Sequence, residues 1–293
     1  MKRCLCCDAL FQEEHWHCQS CGYSPIQNDG FPYFAPELAL DGSHFPPEAF
    51  EDLAALEADN FWFWARNQII ISTIHRQLPQ MNRYLEIGCG TGYVLASIVE
   101  AYPKTIVTGS EVSGIGLLYA SQRVEDVELI QMDARHIPYA EEFDAIGAFD
   151  VLEHIEEDEK VLSEMLCALR PGGIIVVTVP QHPWLWSQQD EYACHLRRYK
   201  VHELRYKVKQ AGFEMVIEKG FVSLLLPFML MSRLFSRQNV DDYDVLAELR
   251  LPRLLNRIFK AVMVVERCLA LMGVRFPCNG SLLLVARKQK VRS

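Results

Sequence analysis

Leu85-Glu86-Ile87-Gly88-Cys89-Gly90-Thr91-Gly92 sets three alternating glycines directly after a short apolar run, and no other stretch of the chain restricts its fold as strongly. The apolar run, Arg83-Tyr84-Leu85-Glu86-Ile87, reads as a buried strand, and residues 93–99 read as the helix that follows. Glycine between a strand and a helix lets the backbone turn tightly and lets a ligand approach without a Cβ in the way. Such a loop alone names no ligand. Its force comes from Glu86 inside it and from what the following residues repeat.

Residues 105–111 form a second apolar run ending in Glu111, about twenty residues past the loop, where a doubly wound sheet places an acid to receive ribose hydroxyls. A third run, 127–133, ends in Asp133 and is followed by Ala134. A fourth, 143–150, ends in Asp150 and runs into Val151-Leu152-Glu153-His154. Leu169-Arg170-Pro171-Gly172-Gly173 then reads as a turn into the apolar run 174–179. A nicotinamide-binding fingerprint, G-x-G-x-x-G, is not met, because Tyr93 stands where the third glycine belongs.

These residues resemble the class I S-adenosylmethionine-dependent methyltransferases, continuously over about residues 83–180 and more loosely to the last apolar run. The resemblance implies an α/β fold with a doubly wound, seven-stranded, mostly parallel sheet. Residues 214–221 would be its sixth strand and 281–287 its antiparallel seventh. It also implies roles. Gly88, Gly90 and Gly92 would lie against the methionine part of S-adenosylmethionine, and Glu86 would fix its amino group. Glu111 would take both ribose hydroxyls, Asp133 would face the adenine amino group with Ala134 beside the ring, and Asp150 would line the floor beneath the methyl.

The N-terminus carries an independent signal. Five of the ten cysteines fall within the first 21 residues, and Cys4/Cys7 and Cys18/Cys21 are two C-x-x-C pairs. Two such knuckles complete a tetrahedral four-thiolate site, so residues 1–40 are expected to form a structural zinc ribbon. Cys6 competes with Cys7 in register, and His15 and His17 lie close enough to compete as ligands. Clustered cysteines without a secretory leader fit a reducing, cytoplasmic setting better than a disulfide framework.

Residues 25–47 read as an irregular connector, and 41–80 as a helical cover before the sheet. Within the cover, Asn60-Phe61-Trp62-Phe63-Trp64-Ala65-Arg66 would exclude water. Arg66, in so apolar a setting, needs an anionic partner, and the cofactor carboxylate would supply one.

The methyltransferase domain is expected over 81–293. After residue 180 come Gln181-His182-Pro183-Trp184-Leu185-Trp186-Ser187 and His195-Leu196-Arg197-Arg198-Tyr199, an arrangement similar to one found in a subgroup of bacterial methyltransferases. This loop is expected to recognise the acceptor through Trp184, Arg197, Arg198 and Tyr199. His195, and after it His154, are the candidate proton acceptors, since histidine titrates near neutrality. The arginines point to an anionic acceptor, small or lipid-linked, methylated at O or N.

A helical insertion over about 224–280 carries eight Arg or Lys against five acids and is otherwise apolar. It reads as a substrate lid, a homodimer face, or an element in peripheral contact with a membrane. Two rival functions follow from the same residues. One is an RNA methyltransferase docked through its ribbon, since some ribosomal RNA methyltransferases join a zinc ribbon to this fold. The other is a non-catalytic, cofactor-binding assembly protein. The net charge of −9, and a first forty residues with only Lys2 and Arg3 as basic side chains, argue against nucleic acid as the partner.

Overall fold

The computed structural model describes residues 1–13, 15–39, 46, 49–236 and 250–290. Strand β1 (Lys2–Arg3) pairs antiparallel with β2 (Leu10–Phe11), and β3 (Ile26–Asn28) pairs antiparallel with β4 (Phe31–Tyr33). The turn of the second hairpin is Asp29-Gly30, with φ of +50° and +84°. Positive φ at both central residues matches the twist of the strands they join.

Two helices follow, α1 (Ala49–Leu56) and α2 (Phe61–Gln77), the second capped by the Asn60 side chain, which accepts from the Trp62 N–H. The alternating part then begins: β5 (Arg83–Ile87), α3 (Tyr93–Ala101), β6 (Ile106–Glu111), α4 (Gly114–Arg123), β7 (Glu128–Gln131), β8 (Phe143–Phe149), α5 (Asp158–Ala168) and β9 (Leu169–Pro180). Short α6 (Gln188–Tyr192), then α7 (Val201–Gln210) and β10 (Phe213–Phe221), lead to α8 (Leu226–Ser236), α9 (Arg253–Leu271) and the final β11 (Ser281–Lys288).

The sheet order is β10-β11-β9-β8-β5-β6-β7-β4-β3, with β11 antiparallel to both of its neighbours. The seven expected strands are all present, and the N-terminal hairpin adds two more. The expected connector over 25–47 therefore contains sheet structure, and the sheet crosses the boundary drawn near residue 40. The attachment combines a backbone bond, Phe34 N–H to the Gln131 carbonyl (2.8 Å), with the Gln131 side chain, which donates to the Ala35 carbonyl (2.7 Å) and accepts from the Ala35 N–H (2.9 Å). A second departure lies at 169–173. The expected turn is the kinked start of β9, where Leu169 pairs with Phe143 and regular pairing resumes at Ala145 and Ile174.

Alternation along β5 feeds two cores. Tyr84 packs with Val107, Val176 and Leu283 on one face, while Leu85 and Ile87 pack with Ile130, Ile146 and Val177 on the other. Helices cover both faces, so the inner strands are apolar nearly throughout. All the parallel strands point their carboxyl ends to one side, and the topology reverses between β5 and β8, which opens a crevice there.

The insertion folds back over the cover. Helix α9 packs on α2 through Phe259 against Phe61 (ring centroids 5.1 Å apart), and Asn256 accepts from the Phe61 N–H at 2.7 Å. Residues 237–249 of the expected insertion lie outside the described residues. Among the described residues, no helix is long and apolar enough to cross a membrane.

Candidate active site

A cavity of about 800 Å³ opens at the carboxyl ends of β5, β6 and β8, roofed by α1 and α2. That volume is in the range of small-molecule and cofactor sites.

Its first end is built from the glycine loop. Gly88 has φ +63°, and a Cβ there would fall 2.6 Å from a Val151 methyl, so only glycine fits between loop and wall. The Gly90 N–H donates to Glu111 (2.9 Å), whose other carboxylate oxygen accepts from the Val112 and Ser113 N–H groups (2.8 and 3.0 Å). Glu111 is thus held rigidly at the end of β6. Asp133 and Ala134 line the wall beyond it, and Asp133 is bridged by Arg135. Gly92 sits behind the loop as the N-cap of α3 and does not line the cavity.

At this end of the cavity two buried groups are only partly matched among the described residues, Glu86 and Arg66. Glu86 is 2 % exposed, and burial pushes its carboxyl up to about 8, with Arg66 and a weak bond from the Tyr84 hydroxyl opposing the rise. Arg66 pairs with Asp150 and lies over the Trp62 ring (4.7 Å), yet its buried Nε has no hydrogen-bond partner among the described residues. The anionic partner expected for Arg66 is therefore Asp150, and one N–H of the guanidinium is left over.

The cover carries a lock with no sequence signature. Arg123 donates to Glu57 (2.6 Å) and to the Thr91 hydroxyl (2.7 Å), and Thr91 donates to Glu57 (2.5 Å). This triad ties α1 to the glycine loop across the cavity mouth.

The other end of the cavity is formed by the segment after β8 and by the loop after β9. Glu153, His154 and His195 meet there, the two imidazoles edge-to-face with centroids 4.8 Å apart. His195 Nδ1 bonds Asp190 at 2.9 Å, and Asp190 also accepts from Arg198 Nε (2.8 Å) and from the Ser187 N–H (2.8 Å). Burial alone would raise the Asp190 carboxyl, but these partners outweigh it and hold it at about 2. Glu153 is fully buried, and desolvation together with the charge of Asp150 pushes its carboxyl well above the usual range.

The expected acceptor contacts need correction. Tyr199 is fully buried, donates to Asp158 at 2.5 Å, and belongs to the core. Arg197 also pairs with Asp158 (3.1 Å), and Trp184 is 57 % exposed, stacked on His182 away from the cavity. Of the four, only Arg198 lines the cavity, and it is spent on Asp190 and the Gln181 carbonyl. Glu153, not singled out from the sequence, occupies the wall instead.

At the N-terminus, Cys4, Cys7, Cys18 and Cys21 bring one sulfur each within 4.8 Å of one another. The two knuckles share one backbone plan. Asp8 and Gly22 both have positive φ (+57° and +74°) and donate to the Cys4 and Cys18 carbonyls. Cys6 is exposed outside this cluster, and His17 bonds Ser24 instead. Trp16 anchors the segment between Phe34 and Tyr139 (4.7 and 5.2 Å).

Residues 85–177 match the family described as a methyltransferase domain. Among curated relatives, trans-aconitate 2-methyltransferase of Azoarcus sp. is 34 % identical over 98 residues, 33 % of this chain and 39 % of that protein. Phosphatidylethanolamine N-methyltransferase of Cereibacter sphaeroides is 36 % identical over 102 residues, 32 % of this chain and 49 % of that protein. The chain thus spans less than half the length of these two relatives. Haemonchus contortus phosphoethanolamine N-methyltransferase 2, solved with S-adenosyl-L-methionine, aligns with a TM-score of 0.58 at 18 % identity, covering 89 % of this chain and 62 % of that one. The chain carries a methyltransferase domain of the Rossmann-like fold.

Proposed function

We propose that this chain transfers a methyl group from S-adenosylmethionine to an oxygen or nitrogen of a small or lipid-linked acceptor held at the His154–His195 end of the cavity. The observation that carries this reading is the pair of partly matched buried groups on one cavity wall. Among the described residues Glu86 stays largely uncompensated for its burial and Arg66 Nε–H meets no acceptor, and the amino-acid end of S-adenosylmethionine has an ammonium for the first and a carboxylate for the second. When bound, the cofactor supplies a methyl group on a sulfonium, open to in-line displacement.

The residues divide the remaining work. Gly88 and Gly90 let the backbone approach the cofactor, and Glu111, its oxygens aimed by three amides, would accept from the ribose hydroxyls. Asp133 and Ala134 receive the adenine. Asp150, fixed by Arg66, floors the region next to the methyl. Phe61, Trp62 and Phe63 exclude water, which strengthens each of these contacts. His195, oriented by Asp190, and His154 meet the acceptor.

An anionic acceptor loses its basis, because Arg197 and Arg198 are both bonded to carboxylates. The acceptors named for the two relatives, an organic acid and a lipid amine, differ in charge and size and choose neither. Cys4, Cys7, Cys18 and Cys21 would hold a structural zinc ion. Lys2 lies over Trp16 and Arg3 pairs with Glu164, so the basic residues of this segment serve docking rather than RNA.

Calorimetric titration with S-adenosylhomocysteine tests the reading. One site per chain is expected, weakened about a hundredfold by Glu111→Ala, which removes two hydrogen bonds to a charged group. Absence of binding, or unchanged affinity in the variant, would overturn it.

A further inference from the structure

Glu153 is fully buried in the wall of the cavity, and neither of its carboxyl oxygens meets a hydrogen-bond donor of another described residue. Such a group is costly to leave unmatched, so a wall that retains it is shaped for something that binds it. The neighbours define what that is. Glu153, His154 and His195 each bring one ligand atom within 4.8 Å of the other two. Two imidazoles and a carboxylate around one point form a first-row metal donor set, not an ammonium pocket.

The support behind His195 has the pattern of a metal-binding histidine. Its Nδ1–H donates to Asp190, which fixes the tautomer and leaves the Nε2 lone pair to ligate. Asp190 is itself fully buried and immobilised by Arg198 and Ser187. The loop is strapped in place as well, since the Leu196 N–H donates to the Glu153 carbonyl at 2.8 Å. The three donors therefore stand together without rearrangement of the chain.

We infer that Glu153, His154 and His195 form a divalent-metal site at the acceptor end of the cavity, suited to Mn²⁺, Fe²⁺, Co²⁺ or Zn²⁺. The role given to the ion rests on the proposed methyl transfer, and it names the acceptor class as a hydroxyl compound. A hydroxyl bound to the ion releases its proton to solvent more readily than in water. Its oxygen then forms the O–CH₃ bond as the S–CH₃ bond breaks, with the bonding pair staying on sulfur. The products are a methyl ether, S-adenosylhomocysteine and one proton.

The test uses the full chain and Mn²⁺ alone, read by loss of the free-ion electron paramagnetic resonance signal. Mn²⁺ favours oxygen and nitrogen donors over thiolates, so it discriminates this site from the four cysteines. One Mn²⁺ per chain is expected. Glu153→Gln and His195→Asn should each weaken it by about tenfold or more, and Asp190→Asn by about 10–100-fold. Cys18→Ser should leave it unchanged. No binding by the wild type at millimolar Mn²⁺, or equal binding by Glu153→Gln, overturns the inference. Titration of the same samples with S-adenosylhomocysteine separates the two readings. A Glu153→Gln protein that binds the nucleoside but not Mn²⁺ is folded and supports the metal site. A wild type that binds Mn²⁺ but not the nucleoside keeps the site and removes the methyl-transfer role.

Discussion

The glycine-loop end of the cavity is made of backbone and strand termini, whereas the histidine end is a lattice of buried ion pairs drawn from distant parts of the chain. Glu111 and Asp133 are where they are because a strand stops there, and each is fixed by amides or side chains within a few residues or one neighbouring strand. Asp158, by contrast, gathers Tyr199, Arg197 and Lys207 from more than 35 positions away. Cofactor recognition can be built from local geometry, so it leaves a local trace. Acceptor recognition at the histidine end, as proposed, would depend on which charged groups remain after the lattice has used the others.

Removing a node of that lattice should have the largest effect. Asp190→Ala strips the buried partner from Arg198 and frees His195, and an unpaired buried charge costs about 3–5 kcal/mol. Chemical denaturation should show that loss, with S-adenosylhomocysteine still bound under conditions where the variant is folded. Loss of nucleoside affinity in the folded variant would mean that the two ends are not separable.

A more selective change at the other end is Glu86→Gln. Below pH 8 the free protein holds Glu86 protonated, and binding an ammonium favours its ionised form. Affinity should therefore rise about tenfold per pH unit between 6 and 8 and level off above, while the Gln variant should show a flat profile. A sloped profile in the variant would assign the proton to another group.

The sheet, its strand-end acids and the paired cysteine knuckles were legible because each is a local pattern: an apolar run, a glycine where φ is positive, a C-x-x-C. The N-terminal hairpin also had a local sign in Asp29-Gly30, which sits between strands too short to show alternation. What stayed hidden depends on pairing. Tyr199 and Arg197 read as open loop residues until Asp158 claims them, and the pairing of Arg66 with Asp150, which leaves its Nε–H for a further acceptor, has no local sign. Glu153 reads as an ordinary acid at the start of a helical turn. Only its burial and the approach of His195, 42 positions later, set it apart.

Two smaller effects sharpen the contrast. Cys18→Ser should abolish the zinc binding proposed for the four cysteines and loosen the docking of Trp16, seen as a zinc content below that of the wild type and a changed tryptophan fluorescence, with nucleoside affinity unchanged. Trp184→Ala, on an exposed side chain outside the cavity, should change stability by no more than about 0.5 kcal/mol and leave nucleoside and metal binding as they are. A large loss of acceptor turnover in that variant would return Trp184 to the acceptor site.

The most direct measurement is the number of protons released when S-adenosylhomocysteine binds at pH 7, from calorimetry in two buffers of different ionisation enthalpy. If Glu86 and Arg66 receive the amino-acid end of the ligand, the wild type should release close to one proton and Glu86→Gln none. Binding without proton release in the wild type would contradict that placement of the cofactor.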